Sequence, residues 1–251
     1  MKTNTRFFYA LAAGLLLTLS APSFGQTATA PAFADGDRWI YNVTEEKNVS
    51  GAISSSGRKW EISISRAGTK TISVSAKPSD SNMPPKEVAR DVDWSVVENI
   101  NGSNMITSHP YDFPMKQGKS WKVEYITPNP DARTKLVKTI KNYAVVGWVD
   151  IKVAAGNFRA LKVEMEGEWT KEFNEIGPSV STAAANDQSG SVAIAKSLKA
   201  NTPKPVSGRL YQAFWFVPEI KSHVKLIVED YQAGGALNKR ITEELESSQL
   251  K

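Results

Sequence analysis

Most of the chain alternates apolar and polar residues at every second position, the period of a half-buried β-strand. Trp60, Ile62 and Ile64 alternate with Glu61, Ser63 and Ser65, and Ile72, Val74 and Ala76 with Thr71, Ser73 and Ser75. Val92, Trp94 and Val96, set against Asp91, Asp93 and Ser95, predict a strand running to Asn101-Gly102. That dipeptide suits a tight hairpin turn because both residues tolerate positive φ. Trp121, Val123 and Tyr125 repeat the pattern against Lys122 and Glu124. Val149, Ile151 and Val153 lead into Ala154-Ala155-Gly156-Asn157, after which Leu161, Val163 and Met165 oppose Lys162, Glu164 and Glu166. Gly156 supplies the positive φ that closes this antiparallel hairpin. The pattern predicts an all-β fold of about ten strands without a long helix: a strongly curved antiparallel sheet or open barrel.

Two segments interrupt the alternation. Residues 77–90, with three prolines, read as a loop. Residues 174–208 hold no aromatic residue and are dominated by Ala, Ser, Asn, Gly and Pro, so they predict a mobile insertion, with a short helix over Val192–Leu198. A third segment, RLYQAFWFVPEI at 209–220, breaks the pattern differently. Leu210, Phe214 and Phe216 fall on one side, and Tyr211, Ala213, Trp215 and Val217 on the other, so neither side is polar. A sheet bent far enough to enclose a second apolar space covers both. The protein itself, the 174–208 segment or an apolar ligand would fill that space; in the last case Tyr211, Phe214, Trp215 and Phe216 are the ligand-binding candidates.

An internal echo points to two related β-units. Phe33, Gly36, Trp39 and Tyr41 are matched about 80 residues later by Phe113, Gly118, Trp121 and Tyr125. The expected organisation is a leader at 1–25, an N-terminal unit at 26–112 and a C-terminal unit at 113–251 carrying the 174–208 insertion. The runs FPMKQGKSWKVEY, VDIKVAAGNFRALKVE and FWFVPEIKSHVKLIVED, through Gly118, Trp121, Gly156, Phe158, Trp215, Pro218 and Val224, resemble a family of bacterial periplasmic proteins known only as a domain of unknown function. The likeness covers mainly residues 113–246. It rests on turn and packing motifs, so it implies a fold and no catalytic residues.

The amino terminus changes the picture of destination. Lys2 and Arg6 precede an apolar run from Phe7 to Leu19 and then small residues, the order of a secretory signal, and the run is too short for a bilayer span of about 20 residues. Cleavage after Ser23-Phe24-Gly25 makes Gln26 the mature start and the periplasm the destination, with no membrane span remaining. The chain has no cysteine, which rules out disulfides and a lipidated cysteine. Loss of the leader leaves 29 basic against 26 acidic residues. These charges are interleaved, as in Lys162, Glu164, Glu166, Glu168 and Lys171, rather than clustered as nucleic-acid binding requires.

Sequence motifs for catalysis are sparse. His109 and His223 stand far apart without acidic or cysteine company at ligand spacing, so neither a metal nor another cofactor is expected. The sets Glu164, Glu166, Glu168 and Asp91, Asp93 place carboxylates about 6.5–7 Å apart on one strand face, a spacing compatible with glycoside hydrolysis, but they are also the wet partners of Val163, Met165, Val92 and Trp94. The seven tryptophans, at 39, 60, 94, 121, 148, 169 and 215, suit a core or, if exposed, sugar stacking. The sequence therefore points to an exported protein that binds an apolar or amphipathic molecule, or an envelope protein partner, without catalysis. A glycan-active enzyme and a carbohydrate-binding module are the alternatives.

Overall fold

The structure, a computed structural model, describes residues 26–175, 180–187, 190–197 and 203–251; the expected leader lies outside them. It is an all-β protein built on one ten-stranded sheet. From edge to edge the sheet runs β4 (Lys86–Asp91), β3 (Thr71–Pro78), β2 (Ala52–Ala67), β1 (Arg38–Val49), β14 (Leu237–Gln249), β13 (Ser222–Tyr231), β12 (Val206–Val217), β9 (Gly156–Phe173), β8 (Thr134–Val153) and β7 (Ser120–Asp131). All neighbours are antiparallel, and the last strand pairs with the first. Two hairpins stand apart, β5 (Val96–Ile100) with β6 (Ser103–Ser108) and β10 (Val180–Asp187) with β11 (Gly190–Ser197). The sheet keeps two edges, β4 and β7, and is open rather than a closed barrel.

Turn chemistry explains both predicted hairpins. Asn101 and Gly102 adopt φ of 49° and 82°, and Ile100 pairs with Ser103 across them. Ala154-Ala155 joins β8 to β9, with Gly156 beyond it at φ 138°. Three local expectations give way. Val92–Ser95 is a turn, with Trp94 at φ 63°, because the chain bends there to set the Trp94 ring against Phe33 and Trp39, at centroid distances of 5.8 and 5.9 Å. Within the expected 77–90 loop, Lys86–Arg90 joins β4, recruited by the free hydrogen-bonding edge of β3. Residues 192–197 belong to strand β11 rather than a helix, paired along their length with β10.

Pairing assigns the inner face. Trp39, Tyr41 and Val43 on β1 lie over Ile62, Trp60 and Arg58 on β2, and Val163 and Met165 on β9 lie beside Phe214 and Gln212 on β12 and Val145 and Tyr143 on β8. Register shifts interrupt the ladders at Ile40/Tyr41, Trp215/Phe216 and Val145/Gly147, each a place where a strand bends and twists more strongly. The bending is large. The Ala155 N–H at the β8–β9 tip donates to Leu245 O on β14 at 3.0 Å, although β9 and β14 are three strand spacings apart, about 14 Å in a flat sheet.

Among the described residues the further sheets are two-stranded, and the inner face is covered by the β5–β6 hairpin at Lys141 and, beyond it, by a strap between β6 and β7. Its Tyr111 ring lies 5.7 Å from Phe214 and 4.9 Å from Phe216, and Phe113 lies 5.4 Å from Phe216. Met115 is fully buried and exchanges both backbone hydrogen bonds with Ala28, at 2.8 Å each. The strap is pinned at its start, where His109 Nε2 lies 3.2 Å from Asp93 Oδ2 and Trp121 Nε1 donates to His109 O. A second pin holds the turn after β12: Trp39 Nε1 donates to Ile220 O at 2.8 Å, and buried Asp37 accepts from Lys221 Nζ at 2.8 Å.

The ion pair with Asp93 raises the His109 pKa, and burial opposes that rise only in part. Burial pushes the Asp93 carboxyl up, but bonds from His109 and Ser95 outweigh it and hold the pKa below its usual range. A raised histidine pKa stabilises fully below the unfolded value of about 6.5 and ceases to do so as pH rises through the folded value. The lowered aspartate pKa stabilises above the unfolded value of about 3.9 and is lost as pH falls through the folded value. His109→Asn should therefore cost on the order of 1 kcal/mol at pH 5, about 2–4 °C in the unfolding midpoint, and less at pH 8. Thermal unfolding of both proteins at the two pH values checks this.

Candidate functional site

One rung beyond the strap the inner face is left open. By register, Tyr125 on β7, Thr139 on β8, Trp169 on β9 and Gly208 on β12 lie in one row across the sheet. Lys141, Gly167, Leu210 and Asp230 form the next row, and Met165, Gln212 and Val228 the one after. Two successive rows thus carry a glycine in mid-sheet, where neighbouring groups already stand close: a Cβ at Gly167 would lie 2.6 Å from Ile140 O. Beside them runs a trough of about 430 Å³ bounded by Tyr125, Trp169 and Leu210, with Lys141 and Gln212 at its floor and Lys171 and Asp230 at its margin. That volume lies within the range of small-molecule sites.

Gly208 is what lets Trp169 lie down. A Cβ there would stand 2.4 Å from the indole Cζ2 and 2.4 Å from the backbone oxygen of Tyr231, closer than real Cβ contacts come. The ring therefore rests against bare backbone and forms one wall. Lys141 is only 8% exposed. Its Nζ donates to Thr107 O on β6 and sits 5.5 Å from the Tyr125 ring centroid, so the β5–β6 hairpin borders the trough. Burial lowers the Lys141 pKa, with only a partial offset from the charge of Glu98. Burial likewise raises the Tyr125 hydroxyl. The carboxamide oxygen of Gln212 is buried and has no hydrogen-bond partner.

The four residues singled out from the sequence are divided by the sheet. Phe214 and Phe216 lie on the inner face beneath Tyr111 and Phe113, so the chain itself covers them. Trp215 and Tyr211 face the other way. Trp215 is flanked by Lys162 Nζ at 5.2 Å and Lys225 Nζ at 6.0 Å and packs in part against the core cluster that includes Ala160 and Val217. Tyr211 donates to Glu164 Oε1 at 3.0 Å, and its pKa is pushed up to about 12 by burial and by that carboxylate. The structure brings none of the four into the trough; their strand neighbours Leu210 and Gln212 line it instead.

The carboxylate sets also find their places. Glu164 is ion-paired with Lys162 at 2.5 Å, and that lysine holds it below the usual carboxylate range, opposite to the raised pKa that a general acid needs. Asp93 serves the strap. The histidines, isolated in sequence, each gain an acid through folding: His109 with Asp93, and His223 with Glu243 at 3.2 Å. Among the described residues no group of three or more His, Cys, Asp or Glu side chains comes together as a metal site would require, and no helix is long and apolar enough to cross a membrane.

Lys141 escaped the sequence reading, yet it left a signal. Thr139, Lys141, Tyr143 and Val145 share the dry side of β8, where a lysine breaks the alternation. Gly167 and Gly208, inside strands and away from turns, are the second signal. Gly208→Ala should cost about 1–3 kcal/mol and expose Trp169, because either the indole or the strand must move. A lowered unfolding midpoint with a red-shifted tryptophan emission checks it.

No family model matches the chain, and no curated protein matches it. Two solved structures are similar in outline. One is a presumed exported protein with a YmcC-like fold from Bacteroides fragilis, 13% identical, with a TM-score of 0.38 over 88% of this chain and 99% of that one. The other is a presumed lipoprotein from Parabacteroides distasonis, 12% identical, with a TM-score of 0.38 over 89% of this chain and all of that one.

Proposed function

We propose that the chain is an exported envelope protein that binds an amphipathic small molecule without transforming it, with the apolar part of the ligand lying between Tyr125, Trp169 and Leu210. The observation that carries this reading is the open trough itself: aromatic and aliphatic walls around a floor that holds a buried lysine and an unpartnered carboxamide oxygen. An aliphatic chain against these walls gains from area removed from water. The polar floor gives such a molecule a direction. The secretory order of residues 1–25 supports the export half of the proposal.

Binding of a neutral hydrophobic dye, N-phenylnaphthylamine, to the mature chain tests the apolar half without involving a charge. Fluorescence should rise on addition. Leu210→Asp should weaken uptake about tenfold or more, the scale of one lost aliphatic contact and one buried charge, whereas Trp215→Ala on the outer face should bind as the parent does. Absence of uptake by the parent, or uptake indifferent to Leu210→Asp, would contradict the proposal.

A further inference from the structure

We infer that the ligand of the trough carries an acidic head group, a carboxylate or a phosphate monoester, seated on Lys141 and Gln212. This rests on the amphipathic-ligand reading and names the chemistry of the polar end. Three observations lead to it. The ammonium group of Lys141 is nearly buried, and its bonded partner is a single neutral carbonyl, Thr107 O. A lysine has three donors, so two are left for a ligand. The carboxamide of Gln212 borders the same trough with its oxygen buried and unpartnered.

Charge balance gives the sign of the missing group. A buried cation is costly unless an anion or several acceptors meet it. Around Lys141 the contributing acid is Glu98, on the hairpin that supplies Thr107, and it offsets only part of the burial. On the margin, Lys171 adds a second positive charge. The acid opposite, Asp230, accepts from Asn238 Nδ2 at 3.0 Å and lies across Leu210 from Gly167, on the far side of the trough from Tyr125. An oxyanion over Lys141 would fill its open donor positions and offset the cost of its burial. Turning the Gln212 carboxamide over presents its NH₂ group to the same oxyanion. The ring of Tyr125, which shares the ammonium, closes the pocket on the side of β7.

The test compares four chain-matched probes by titration calorimetry on the mature chain, each below its micelle concentration: dodecanoate, dodecyl phosphate, dodecanol and dodecyltrimethylammonium. At least one of the two acids should bind about tenfold or more tighter than dodecanol, the scale of one charge-assisted hydrogen bond, and the better acid identifies the source of the head group. Lys141→Met should bring that acid down to the affinity of dodecanol and leave dodecanol unchanged. Gln212→Leu removes no charge and fills the floor with a side chain of similar length; it should weaken the acid several-fold and spare dodecanol, so the claim stays testable if Lys141→Met fails to fold. Equal affinity for all four probes, preference for the ammonium, or an acid preference that survives both substitutions would overturn the head-group inference while leaving the apolar site standing. Failure of all four to bind would remove both.

Discussion

An open sheet has an inner face that must be kept dry, and among the described residues a two-stranded hairpin and a short strap lie over it rather than a full second layer. The solution is curvature plus one short strap. Bulges bend the strands until the β8–β9 tip bonds to β14, and the strap lays Tyr111, Phe113 and Met115 over Phe214 and Phe216. Each large side chain buried there contributes about 1.5–3 kcal/mol as an upper estimate, so the covered half is the stable one. Everything proposed about function follows from the limited reach of that strap.

Where the strap stops, the inner face changes composition. The row of Val145, Val163 and Phe214 and the row of Tyr143 and Met165 give way to rows containing Gly167 and Gly208, and a lysine takes a position that otherwise belongs to apolar residues. A protein built only for stability would gain by filling that space, since dry interiors are close-packed and an uncompensated buried charge is costly. Part of that cost falls on one cluster, Lys141 with Gln212, and the apolar walls surround it. The outer face offers the opposite arrangement: Lys162, Glu164, Tyr211 and Lys225 with Glu244 satisfy one another around Trp215.

The all-β class and the Asn101-Gly102 and Gly156 hairpins were legible from alternation and turn residues, because both signals are local; the second side of the 209–217 strand, expected to meet an enclosed apolar space, instead sets Tyr211 and Trp215 among charged neighbours. The register was not legible, and register decides which of Tyr211, Leu210, Gln212, Phe214, Trp215 and Phe216 face the open space. Alternation separated them correctly into two sets without saying which set met the strap. The Asp93–His109 pair was hidden for a related reason: the turn at Trp94, which brings Asp93 to the strap, is dictated by the ring's contacts with Phe33 and Trp39 rather than by its neighbours in sequence. Lys86–Arg90 read as part of a loop because Pro84 and Pro85 just before it end the alternation, while its pairing depends on the free edge of β3, which no local signal shows. Lys141 was visible as an exception to its pattern, but its meaning depended on knowing what lay across from it.

The division of the inner face into a sealed half and an open half is the central claim, and fluorine NMR of the mature chain labelled with fluorotryptophan tests it most directly. With the signals assigned by single substitutions, adding dodecanoate should shift the resonance of Trp169 and leave those of Trp39, in the core, and Trp215, on the outer face, where they were. A shift at Trp215 with Trp169 unmoved would contradict the account.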